Sequence, residues 1–107
     1  MSRTLVVVEE AADEAEAQAR YYAERAGLGV ATRFVTEIEA IYRGLAQGRF
    51  VGVNHPRVRF RIAVKRVFLE RFPFAIVYFE EGDTVTVVAV EALRKEPGYW
   101  RLRLRSH

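Results

Sequence analysis

The sequence predicts an α+β fold, with an antiparallel helical hairpin packed on one face of a mainly antiparallel four-stranded sheet. The predicted order is β-α-α-β-β-β with a short C-terminal helix or tail. Three observations carry this prediction. Residues 10–47 hold two helix-forming stretches separated only by Gly27-Leu28-Gly29. Residues 64–90 hold β-type runs divided by Pro73 and by Glu81-Gly82-Asp83. The helical and β-type segments are grouped along the chain and do not alternate, which argues against βαβ units. With 107 residues the chain is one domain, 1–107, able to bury a single modest core without metal or disulfide.

Residues 4–8 form a short strand of β-prone residues. A helix follows from about Glu10 to Ala26, rich in Ala, Glu, Gln and Arg. Glu9, Glu10, Asp13 and Glu14 crowd its start, where aligned peptide dipoles favour negative charge. Ala12, Ala15, Ala19, Tyr22 and Ala26 recur at spacings of three and four and trace one face. Gly27-Leu28-Gly29 ends this helix, because glycine tolerates the left-handed backbone just past a helix end. The second helix is predicted over Val30–Gln47, with Ala31, Phe34, Ile38, Ile41 and Leu45 stepping by 3, 4, 3 and 4. So short a linker makes the pair an antiparallel hairpin.

Residues 48–57 contain Gly48, Gly52, Asn54 and Pro56 and are predicted to be a loop. From about Arg59 the composition becomes β-like, and the run Val64–Arg71 reads as a strand. Pro73 lacks an N–H and marks a strand edge or start. Phe74–Phe79 is apolar on both faces, as a central strand would be, and Thr84–Val90 returns as another. Beyond Arg94-Lys95-Glu96, Pro97 is placed to open a final helical turn carrying Tyr99, Trp100, Arg101 and Arg103.

Composition excludes several classes of chemistry. There are no cysteines, so disulfides, thiolate nucleophiles and cysteine-based zinc sites are out. His55 and His107 have no acidic residue at ligand spacing, and neither metal nor cofactor is expected. Leu5-Val6-Val7-Val8 is too short for a signal-peptide core, and no run approaches a membrane span, so a cytoplasmic protein is expected. Residues 1–50 carry 6 Arg against 8 Asp+Glu, whereas residues 51–107 carry 11 Lys+Arg against 6 Asp+Glu. A basic second half suits either an acidic or polyanionic partner or a merely solvated surface.

The element order, Phe72-Pro73-Phe74-Ala75-Ile76-Val77-Tyr78, and Val88-Ala89-Val90 followed by Arg94-Lys95-Glu96-Pro97-Gly98-Tyr99-Trp100 resemble the RelE/ParE toxin superfamily. Within it the chain looks most like the ParE-type, or plasmid-stabilisation, branch. Tyr21-Tyr22 before the glycine turn and the Phe34/Ile38 helix after it fit the same layout. The resemblance implies the toxin of a toxin–antitoxin pair, silenced by a cognate antitoxin and acting on DNA gyrase. It also implies an alternative, a ribosome-dependent mRNA endoribonuclease, and a third reading as a degenerate binding module.

A metal-free ribonuclease needs a group to activate the ribose 2′-hydroxyl, a cation for the charged phosphorane and an acid for the leaving oxygen. In the RNA-cutting relatives, lysine and arginine in the sheet and a C-terminal aromatic hydroxyl or histidine serve. Here Arg66 fills one cationic position, but Phe68 stands where a second lysine is expected. Ala75 replaces the central-strand arginine, and Ala92 replaces a histidine found in many members. Arg66, Arg94 and Tyr99 remain as candidates, yet the resemblance points away from catalysis.

Arg57, Arg59 and Arg61 would share one face if extended and, with Lys65, Arg66 and Arg71, would form a continuous positive surface. That surface suits an acidic antitoxin segment or a target; alternatively it is a charged edge that deters aggregation. Trp100 and Arg101 fit a binding hot spot, or Trp100 locks the C-terminal helix onto the core. For the antitoxin, a hydrophobic helix is expected on the hairpin near Tyr21, Tyr22 and Phe34, with an extended segment on an open sheet edge. A homodimer or a hetero-oligomer with the antitoxin is the expected assembly.

Overall fold

The computed structural model describes residues 2–56, 58–95 and 98–106. β1 (Thr4–Val7) leads directly into α1 (Glu9–Ala26) and α2 (Leu28–Ala46). There follow β2 (Val53–Asn54), β3 (Val64–Phe68), β4 (Phe74–Glu81), β5 (Thr84–Ala92) and a 3-10 helix, Arg101–Ser106. The strands form one sheet in the order β1-β5-β4-β3-β2. Only β1 runs parallel to its neighbour, with Thr4 opposite Thr84 and Val7 opposite Val87. The hairpin turns the chain back before the later strands pair, so β1 and β5 meet with the same sense.

The α+β class, the element order and the hairpin are as the sequence predicts, but four details differ. The sheet has five strands, not four: Val53 and Asn54 lie within the predicted loop and pair with Arg66 and Lys65. Both side chains are exposed, so no apolar alternation marks this strand in the sequence. The helices are divided by a single residue, Gly27, at φ 97°, and α2 starts at Leu28, which is 76% exposed. The second predicted strand, Val64–Arg71, is shorter, ending at Phe68, and residues 59–63 do not join the sheet. The final helical segment is 3-10 and begins at Arg101; Arg57, Glu96, Pro97 and His107, which entered the sequence-based expectations, lie outside the described residues.

The sheet is apolar on both sides. Facing the hairpin, Phe74, Ile76, Tyr78, Val85, Val87 and Val90 pack against Ala11, Phe34, Ile38, Ile41 and Leu45. On the other side Val64, Val77, Phe79, Val88 and Ala89 pack under Trp100 and Leu104 of the C-terminal segment. Both faces of β4 are therefore covered, which explains its uninterrupted apolar sequence. Close approach at the β2 end requires a glycine. The Gly52 N–H donates to the Tyr78 hydroxyl oxygen at 2.8 Å, and a Cβ there would sit 2.8 Å from the Arg66 carbonyl oxygen.

A bulge sets which residues face which way. Val77 pairs with Ala89 but Tyr78 pairs with Val87, so β5 carries one extra residue, Val88. Side chains alternate along a strand, and one inserted residue exchanges the faces beyond it. Before the bulge Val85 and Val87 face the helices; after it Val90 and Ala92 do. Glu91 is thereby turned toward the C-terminal segment.

Candidate functional site

Glu91 is 1% exposed, and a carboxylate that deeply buried must be met by donors. Four groups supply them. Arg66 Nη1 lies 3.3 Å from Oε1. His55 Nε2 lies 3.4 and 3.3 Å from the two oxygens. The Gly98 N–H donates to Oε2 at 3.3 Å, and the Trp100 indole N–H donates to the same oxygen. The cluster draws on the β2–β3 connection, β3, β5 and the C-terminal segment, and Ala75 of β4 is directly opposite Glu91 in the strand register. Arg66 also stacks over Phe68, 4.7 Å from the ring centre.

This arrangement bears on the ribonuclease candidates. Arg66 is already compensated by an internal carboxylate, and its Nε is buried without a hydrogen-bond partner among the described residues. Tyr99 contacts a different carboxylate, donating its hydroxyl to Glu14 on α1. Burial, then the hydrogen bond and charge of Glu14, raise its pKa well above the usual phenol range, which makes it a poor proton donor at neutral pH. Arg94 is exposed in the turn after β5. Arg66 is thus paired with Glu91, Tyr99 with Glu14, and Arg94 stands in solvent, so the three candidates are not gathered around one acceptor among the described residues.

Glu14 and Arg103 cap an otherwise open strand edge. β1 covers β5 only as far as Val87, and beyond it the Val90 N–H donates to Glu14 at 3.0 Å. Arg103 donates to the Val88 carbonyl oxygen and to Glu14, both at 2.9 Å. That stretch of backbone is satisfied by side chains and is closed to an added strand.

The expected contact residues are dispersed. Tyr21 is 48% exposed, with the Arg25 guanidinium 5.2 Å from its ring centre. Tyr22 is half-buried, and Phe34 and Trp100 are fully buried, so the last two offer no surface to a partner. Trp100 takes the locking place because its ring fills the core and its N–H is committed to Glu91. Arg59, Arg71 and Arg101 are exposed. Among the described residues, ion pairs interrupt the expected positive surface: Arg61 pairs with Glu81 at 2.7 Å, Lys65 with Glu80 at 3.8 Å and Arg66 with Glu91. Among the described residues, no group of three or more His, Asp or Glu could hold a metal ion.

Sequence reasoning missed His55 and Glu91. His55 falls within the predicted loop and Glu91 just past the predicted Thr84–Val90 strand; only the fold and the bulge bring them together.

A second feature lies on the hairpin. A groove of about 410 Å³ runs between α1 and α2, lined by Val7, Ala15, Ala19, Val35 and Ile38, with Glu16 and Glu39 exposed beside it. The helical periodicity of α1 had placed small residues on this face, and the alanines leave the space. Tyr42 also lines the groove, and its hydroxyl is buried with no hydrogen-bond partner among the described residues. Burial, with Glu14 adding to it, pushes the Tyr42 pKa up to about 12.

The consequence is measurable. Unfolded tyrosine loses its proton near pH 10, so this contribution to stability is complete below about pH 10. It is lost as pH rises through about 12. Urea midpoints should hold from pH 7 to 9 and then fall, with Tyr42 accounting for on the order of 2 kcal/mol. Tyr42→Phe should show a smaller alkaline loss and, lacking the orphan hydroxyl, be neutral or up to about 1 kcal/mol more stable at pH 7. An unchanged alkaline fall in the variant would show that Tyr42 is not its source.

No family model matches the chain, and no curated protein sequence matches it. A solved structure described as "Chromosomal ParDE TA system from P. aeruginosa" does match, with a TM-score of 0.73 at 21% identity. The superposition covers 87% of this chain and 98% of that one. The two chains share a fold. At that identity the ParDE likeness speaks to architecture, and it agrees with the helical hairpin, the mostly antiparallel sheet and the element order described above. Among the described residues, no helix is long and apolar enough to cross a membrane.

Proposed function

We propose that the chain is the toxin of a type II toxin–antitoxin pair of the ParE type, acting in the cytoplasm by binding its target and neutralised by a cognate antitoxin. The observation that carries this reading is the shared fold with a chain of a ParDE system over 87% of this sequence. Two features of the site support a binding role over RNA cleavage. The sheet position that should offer a free cation holds Ala75, and the neighbouring Arg66 is neutralised by Glu91. The apolar groove on the hairpin suits the hydrophobic face of an antitoxin helix. DNA gyrase is the proposed target, on the strength of the ParE resemblance.

Induced expression should stop growth, and co-expression of the cognate antitoxin should restore it. Purified protein should inhibit supercoiling by gyrase, while transcript ends mapped after induction should show no new codon-aligned cuts. Cuts on the ribosome with supercoiling intact would favour the endoribonuclease; unaffected growth would leave the degenerate binding module. Val35→Asp places a charge in the groove and should weaken antitoxin capture roughly tenfold or more, since an unpaired charge against an apolar partner loses its hydration. Unchanged affinity would move the antitoxin elsewhere.

A further inference from the structure

Three basic residues without an ion pair among the described residues gather at one place. Arg59, Arg101 and Arg105 line a cleft of about 190 Å³ between the 58–60 segment and the C-terminal 3-10 helix, with Val58, Phe60 and Leu104 as its apolar wall. All three arginines are exposed. None has an acidic partner among the described residues, whereas Arg61 and Arg103 beside them are paired with Glu81 and Glu14. The helix thus separates its cations. Arg103 and Leu104 turn inward, to Glu14 and to the core, while Arg101 and Arg105 stay in solvent.

Three guanidinium groups around one cleft repel one another, and an anionic ligand would relieve that repulsion. Their planar forks suit carboxylate or phosphate oxygens. The cleft wall separates these options. A nucleic-acid groove would present an open aromatic face for base stacking. Here Phe60 is already engaged, packing on Phe79 at 5.5 Å between ring centres and carrying the Arg61 guanidinium at 5.1 Å. What the cleft presents is a small apolar depression rimmed by cations.

We propose that this cleft binds an acidic peptide segment, with one aliphatic or aromatic anchor side chain against Val58, Phe60 and Leu104 and flanking carboxylates on Arg59, Arg101 and Arg105. The cleft lies across the sheet from the hairpin groove, and the assignment does not rest on the reading of the chain as a toxin.

The test is selection of random twelve-residue peptides on the intact chain, followed by fluorescence anisotropy with the best binder. Enriched peptides should carry Asp or Glu on both sides of a Leu, Ile or Phe. Replacing that anchor by Ser, or using the Arg59→Glu/Arg101→Glu/Arg105→Glu variant, should weaken binding by about tenfold or more. The milder Arg101→Gln/Arg105→Gln variant, which alters only exposed side chains, should give a smaller loss at an unchanged urea midpoint. Three results would overturn the proposal: no acidic enrichment, equal binding to the variants, or a twelve-nucleotide oligouridylate that outcompetes the peptide and loses affinity in the variants.

Discussion

Replacing Glu91 by alanine is expected to destabilise the chain by about 3–5 kcal/mol, a large share of the roughly 5–15 kcal/mol typical of a domain this size. Arg66, His55, the Gly98 N–H and the Trp100 N–H all converge on this one carboxylate. Its removal leaves a partly buried guanidinium and several buried donors without their acceptor, and buried polar groups are costly when only one side of a pair is lost. Glu91→Gln retains an acceptor oxygen and should cost less. The double change Glu91→Leu with Arg66→Met removes both charges and should recover part of the loss, because deleting an ion pair together avoids stranding either member. Urea denaturation of the three variants measures this, and amide exchange around Trp100 should rise most in Glu91→Ala. Additive losses in the double variant would mean that the two side chains do not act as a pair.

Why this cluster escaped the sequence reading is a matter of parity. Period-two alternation in Thr84–Ala92 places Glu91 on the same face as Val85 and Val87, toward the helices, where a carboxylate would be out of place. The extra residue at Val88 reverses that assignment, and nothing in Val87-Val88-Ala89 announces a bulge. His55 was equally hidden: its neighbours Asn54 and Pro56 read as loop, yet its N–H donates to the Val64 carbonyl oxygen and its ring is buried against Trp100. The hairpin, by contrast, was legible because its signal is local. Ala31, Phe34, Ile38, Ile41 and Leu45 are all buried, as their 3.6-residue rhythm requires. The ion pairs that interrupt the expected basic surface were hidden for the opposite reason, since charge along a sequence says nothing about which carboxylates the fold will bring alongside. Glu81, Glu80 and Glu91 lie 15 to 25 positions from Arg61, Lys65 and Arg66, which they neutralise.

Phe34→Ala should be about as damaging as the loss of Glu91, at roughly 3–5 kcal/mol, and for a purely apolar reason. Phe34 is fully buried, and its ring centre lies 5.2 Å from Tyr22, 5.2 Å from Phe72 and 5.3 Å from Phe74. These four rings fasten the hairpin to the start of the central strand, in edge-on and tilted arrangements that suit aromatic quadrupoles. Alanine would remove most of the apolar area and leave a cavity that three rigid rings cannot readily collapse into. Phe34→Leu keeps much of the volume and should cost distinctly less, while Tyr21→Ala, at an exposed ring, should stay within about 0.5 kcal/mol. The comparison also separates stability from recognition. If antitoxin capture falls in Phe34→Ala only in proportion to the unfolded fraction, while Val35→Asp loses capture at an unchanged urea midpoint, the partner reads the outer face of the hairpin and Phe34 merely holds that face in place. Loss of capture in folded Phe34→Leu, with Val35→Asp unaffected, would reverse that division of roles.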